Sequence, residues 1–381
     1  MRRTNITDGY IVWPDEVCYS HAKQTVHVYL NEAPTNRNVS LQVLNSITGR
    51  TVLLTKQLRT VGDLSTGIHY EVDFDAARAF QLLASLTPES VLAQTMYTAT
   101  GSRPSNAETR TLTLTLGDGR KITQSCIVIL GAIDASETRY PDKKRRIFTN
   151  FPQTVALTTK TPDGGIISGE DDIYPSHAGV GVLFEVAPLP LWNNDSYVQS
   201  LKNGETVEVI LSDINHFTYG EWQEPQEEAH MEFIPDNRTK GTYLRWLRRD
   251  GTIGYWLFDT TKRIENIAAS SFERYNPHGY PYNAQGSPYY GVISDSTQAA
   301  KTGATALSVG SGSLEAWERE YLRDILYAPR VERLLQNRPG NYIWEQVQIS
   351  TTTYAEDTEC HNHLQDFELT IILPKHSTIT L

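Results

Sequence analysis

Three clusters in this chain carry residue types that could do chemistry. Cys360-His361-Asn362-His363 offers imidazoles. On a strand His361 and His363 would point the same way, as a metal would require. A zinc site needs further ligands, and the spacing places none, so the cluster reads as a turn before the last strand. Glu227-Glu228 with His230 offers carboxylates. Glycoside hydrolysis needs two of them facing each other across a sugar, which adjacency in sequence does not supply, and the stretch reads as a solvated acidic segment. Asp171-Asp172 beside Glu170 could take calcium, but the regular ligand spacing of an EF-hand loop is missing. No phosphate-cradling glycine loop, nucleophile elbow or H-E-x-x-H pair is present, and no cysteine has a local histidine partner. No catalytic, cofactor-binding or metal-ligating residue is assigned, and the chain reads as a non-enzyme.

What the sequence offers instead is binding surface, and it centres on Gly241–Asp259, GTYLRWLRRDGTIGYWLFD. Asp250-Gly251 is a strong signal for a two-residue hairpin turn, because both central positions of that turn need positive φ. Pairing then follows by arithmetic. Trp246 faces Tyr255, Leu244 faces Leu257 and Arg248 faces Ile253 on one side. Tyr243 faces Phe258 and Arg245 faces Trp256 on the other, the latter a cation–π pair. Large side chains on both faces predict cover on both, one by the chain's own domain and one by a second layer or a neighbouring subunit.

The elements around the hairpin predict a mainly β chain with a few short helices, in two or more sandwich- or barrel-like domains. Residues 1–24 carry few strand signals and read as an extended N-terminal arm. From Thr25 the hydrophobic period is two, in Val26–Leu30, Val39–Leu44 and Thr51–Thr55. Asp75 stands as an N-cap ahead of a helix that Pro88 ends. Thr111–Leu116 and Ile122–Leu130 flank a second Asp-Gly turn. Residues 25–133 therefore read as a β-rich domain with one helix. Residues 134–152, with four consecutive cations at Lys143–Arg146, read as a solvated linker. Residues 153–381 read as further β-rich structure, with a helix near 313–328 capped by Ser313. A long Tyr/Pro/Gly loop over 274–292 reads as a binding or interlocking segment. Interface energy concentrates on aromatics and arginine. That points to Arg245, Trp246, Tyr255 and Trp256 in the hairpin, to Tyr280, Tyr282, Tyr289 and Tyr290 in the loop, and to Trp192 as a residue that could stack on a sugar.

Bulk properties bound the rest. A formal charge of -11 and a pI near 5.4 argue against coating nucleic acid or an anionic membrane. No window approaches the ~20 apolar residues of a membrane helix, and the N-terminus lacks a secretory pattern. Three cysteines, Cys18, Cys126 and Cys360, are too few and too scattered for a disulfide framework, and suit a reducing cytoplasm.

Three stretches between about 240 and 381 carry a resemblance. They are YLRWLRRDG…GYWLF at Tyr243–Phe258, the helix running into LRDILYAPRVERL at Leu322–Leu334, and WEQVQI (Trp344–Ile349) with the terminal FELTIILP (Phe367–Pro374). This half resembles tail-tip and baseplate proteins of tailed bacteriophages and prophages of gut bacteria. The resemblance implies a structural virion subunit made in the host cytoplasm. It would form a homo-oligomeric ring, usually sixfold, that joins the tail tube to hub, fibre or receptor-binding proteins. It implies no cofactor, no nucleic acid and no membrane insertion. The alternative is a carbohydrate-binding or adhesin β-sandwich contacting host surface glycans through Trp192 or the long loop.

Overall fold

The computed structural model describes residues 2–15, 17–32, 34–63, 67–93, 107–132, 144–159, 179–186, 195–212, 228–274, 295–338, 341–350 and 365–374. The fold is mainly β, with short helices. Two five-stranded sheets share the first core. One is ordered β1 (Arg2–Ile6), β2 (Gly9–Trp13), β4 (Thr25–Leu30), β8 (Gly67–Asp75), β7 (Arg59–Asp63). The other is ordered β3 (Val17–Tyr19), β10 (Lys121–Ile129), β9 (Ala107–Thr115), β5 (Asn38–Asn45), β6 (Thr51–Gln57). Alternate residues such as Val26, Val28, Val39, Leu41, Leu112 and Leu114 meet between them, as the period of two requires. The expected extended arm is instead β1, β2 and β3. β2 pairs with β4, and Trp13 is fully buried. These strands are too short, and too interrupted by Asp8-Gly9 and Pro14, for their alternation to show.

Helix α1 (Ala76–Leu83) starts where the cap predicts, with the Asp75 carboxylate accepting from the Arg78 N–H. It ends at Leu83 rather than at Pro88. Its last carbonyl accepts from Asn45 Nδ2 at 2.9 Å and Arg110 Nη2 at 3.3 Å, which satisfies an end that no residue of the helix can reach. Pro88 instead opens a second helix, α2 (Pro88–Ala93), at the first position, where its missing N–H costs nothing.

The charged run read as a linker is largely a strand. β11 (Lys144–Phe148) pairs in parallel with β15 (Glu228–Asp236), which also pairs with β14 (Val207–Ser212). Arg145, Ile147 and Phe148 are buried. β12 (Gln153–Thr159) pairs with β13 (Gly179–Val186), and α3 (Asp195–Lys202) precedes β14.

The rest is a closed six-stranded antiparallel barrel. Its order is β16 (Thr242–Leu247), β17 (Ile253–Arg274), β18 (Asp295–Leu314), β21 (Gln365–Ile372), β20 (Asn341–Ile349), β19 (Val331–Arg338). Helix α4 (Ala316–Arg323) and a 3-10 turn (Asp324–Tyr327) carry the chain from β18 to β19. Ser313 does not cap α4, because it still pairs with Asp366 in the sheet. The helix begins after Glu315, whose N–H donates to the Glu318 carboxylate at 3.0 Å.

Candidate functional site

The β16–β17 hairpin forms, with a register one residue away from the expected one. Tyr243 faces Leu257, Leu244 faces Trp256, Arg245 faces Tyr255 and Trp246 faces Gly254. The turn explains the slip. The Gly251 N–H donates to the Arg248 carbonyl at 3.0 Å, the Arg248 N–H donates to the Thr252 carbonyl at 2.8 Å, and Gly251 has φ +79°. This is a three-residue loop, a type I turn closed by a left-handed glycine bulge. Asp-Gly serves that turn as well as the two-residue one. The second Asp-Gly hairpin repeats it, with Gly119 at φ +87° donating to the Leu116 carbonyl at 2.9 Å.

The slip changes every cross-strand partner. Arg245 is not over Trp256. Its guanidinium lies 4.1 Å from the centroid of Trp344 on β20 and donates to Glu332 on β19 at 2.8 Å. Trp256 takes Arg146 of β11 instead, 5.7 Å from its ring. Both faces of the hairpin are covered, as the large side chains demand, but both covers come from this chain. Trp246 and Trp256 meet Tyr321 of α4, with centroids 5.6 and 6.1 Å apart. Tyr243 meets Phe151 and Trp344, and its hydroxyl donates to the Pro152 carbonyl at 3.0 Å. Burial, aided by Tyr255 and Tyr321, pushes the Tyr243 phenol well above its ordinary value.

Tyr321 is the centre of this junction. The guanidinium carbons of Arg145 and Arg248 each lie 4.7 Å from its ring centroid. Its hydroxyl accepts the Tyr255 N–H at 2.9 Å. The charges are matched. Arg248 bonds Asp324 at 3.1 Å, and Arg146 bonds Glu318. Arg238 is held above its usual value because Asp236 and Asp259 outweigh the burial that opposes its charge. Glu318, Asp324, Glu332 and Asp236 are each held by an arginine. Among the described residues no group of three or more His, Cys, Asp or Glu could hold a metal ion.

The hairpin residues expected at an interface are therefore spent in the chain's own core. Trp246 is 0%, Trp256 1% and Tyr255 4% exposed, and Arg245 is half-buried. They cannot also anchor a neighbouring subunit. Tyr280, Tyr282, Tyr289, Tyr290 and Trp192 lie outside the described residues, as do the 360–363 and 170–172 clusters and Glu227, whereas Glu228 and His230 fall on β15.

The feature that sequence reasoning missed is the length of β17 and β18. They run for 22 and 20 residues, against roughly 3–10 for most strands. β16 accompanies β17 only as far as Phe258, and β21 accompanies β18 only from Ala306. Beyond those points Glu265–Arg274 and Asp295–Thr305 pair with each other and, apart from the Leu373 N–H donating to the Thr305 carbonyl at 2.9 Å, with no other strand among the described residues. At the usual rise this two-stranded ribbon extends about 35 Å past the shared strands. A register shift at Thr260/Lys262 falls where the ribbon leaves the barrel, as bulges do where a strand must bend. Its sequence, rich in Ala, Ser, Thr and Gly, has no strong alternation. Only the Asp259–Gly310 pairing, set by the barrel, would have signalled it.

No protein-family model matches the sequence, and no curated protein matches it. Among solved structures the chain is similar to the two immunoglobulin domains of DIP-gamma. Identity there is 6%, over 61% of this chain and 99% of that one, with a TM-score of 0.14. It is also similar to a 1.5-MDa bacterial ice-binding adhesin described in connection with retention at the host cell surface. Identity there is 8%, over 90% of this chain and 97% of that one, with a TM-score of 0.14. Likeness at that level carries no argument.

Proposed function

We propose that this chain is a structural, non-catalytic subunit of a phage tail tip or baseplate. It assembles with its own copies into a closed ring, with six the expected number, between the tail tube and hub or receptor-binding proteins. The observation that carries this reading is the ribbon. A lone two-stranded ribbon is marginal in water, and edges that no described strand pairs beyond Thr305 invite pairing with another chain. A ribbon of this length fits an element that a neighbour covers. The resembling stretches also coincide with the barrel strands and α4. Native mass spectrometry of the full chain tests the reading. A closed oligomer is expected, and a strict monomer at all concentrations overturns it. The adhesin alternative drew on Trp192 and the long loop, and no described residue favours it.

A further inference from the structure

Cys18 and Cys126 are far apart in sequence, but the fold brings them together. β3 runs parallel to β10 with Cys18 opposite Val128. Cys126 lies two residues before Val128, so all three side chains share the inner face of the sheet. Both thiols are free, buried at 3% and 1% exposure, and part of the same core. The Cys18 Sγ also bonds the Ile127 carbonyl, between the two β10 positions, at 3.6 Å. A hydrogen bond with Cys126 and burial together push the Cys18 thiol well up. Elsewhere Glu108 and Arg110 serve the end of α1, and Arg248 and Asp324 hold Tyr321. This thiol pair has no such duty.

We infer that Cys18 and Cys126 form a closable dithiol, a site of oxidation to an intrachain disulfide that staples β3 to β10. Access comes from β3 itself. It has three residues, lies at the edge of its sheet and pairs with β10 alone among the described strands. Such an edge opens locally at little cost. The oxidant is a small aliphatic disulfide. One thiolate of the pair attacks it, expels one small thiolate and becomes a mixed disulfide. The second thiolate attacks the protein sulfur of that bond and expels the other small thiolate. The protein loses two protons and two electrons, and the small disulfide gains them as two thiols. Cys18 is a diagonal neighbour of Cys126, so closure draws β3 slightly along β10 to bring the Cα atoms within about 7 Å. The inference concerns the first sandwich and does not depend on the tail-tip reading.

The test uses the folded full chain incubated with oxidised glutathione, followed by peptide mapping without reduction. The expected product is a Cys18–Cys126 linked peptide pair and an intact mass lower by two hydrogens. A Tm rise of several degrees follows, because the bond closes a long loop. Cys360→Ser should leave the cross-link intact, and Cys126→Ser should abolish it. A cross-link that forms only after denaturation overturns the inference. So does one that joins either residue to Cys360, or persistent glutathione adducts with no closure.

Discussion

Replacing Gly254 with alanine sets two effects of opposite sign against each other. Gly254 stands opposite Trp246, and its backbone needs no positive φ. On conformational entropy alone, alanine in such a position stabilises by about 0.4–1 kcal/mol. A Cβ built there, however, would lie 2.4 Å from Trp246 Cε2, 2.6 Å from Cζ2 and 2.8 Å from Nε1. The indole must then retreat by about 1 Å to reach ordinary contact. It has nowhere to go, since it is fully buried against Tyr321, which Arg145 and Arg248 hold from two sides. Overpacking of this kind costs about 1–3 kcal/mol, so the net expectation is a loss of about 1–2 kcal/mol. Urea unfolding followed by tryptophan fluorescence reads it, with the slope m checked for change. In a cycle with Trp246→Leu the cost of the alanine should disappear, a coupling of about 1 kcal/mol or more. A Gly254→Ala chain as stable as the parent, or more so, refutes the packing described for this hairpin.

Further expectations concern the same junction and the sandwich. Arg248→Met leaves Asp324 buried without its ion pair and should cost about 3–5 kcal/mol, while adding Asp324→Leu should restore most of it; thermal and urea unfolding compare the three. Tyr321→Phe removes the acceptor for the Tyr255 N–H and should cost about 1–2 kcal/mol, with faster hydrogen exchange of that amide as the specific readout. Arg120 donates to Asp8 and holds its carboxyl below the usual 3.8. That pair therefore stabilises above about pH 4 and fades as pH falls through the lowered value. Asp8→Asn should flatten acid unfolding there by a few tenths of a kcal/mol, the small size reflecting solvent screening.

Fold class is legible in this sequence because alternation is a property of each strand alone. Val26–Leu30, Val39–Leu44 and Phe367–Leu373 point inward as read, and Asp75 caps its helix through a purely local bond. What stayed hidden depends on partners far along the chain. The cations of β11 look solvated until Tyr321 and Glu318, more than a hundred residues later, stack on Arg145 and pair with Arg146. The hairpin aromatics look like an interface because their cover, α4 and β20, arrives 60 residues or more downstream. The register erred because one dipeptide serves two turns, and the ribbon hid because its small residues carry no period. Cys18 and Cys126 meet only through a parallel pairing that spacing cannot announce.

Deuterium exchange along the ribbon tests most directly whether another copy covers it. Backbone amides of 265–274 and 295–305 should exchange slowly in concentrated, assembled protein and much faster when the same chain is diluted to monomer. Equal, rapid uptake at both concentrations, with the barrel amides protected throughout, would contradict the assembly role.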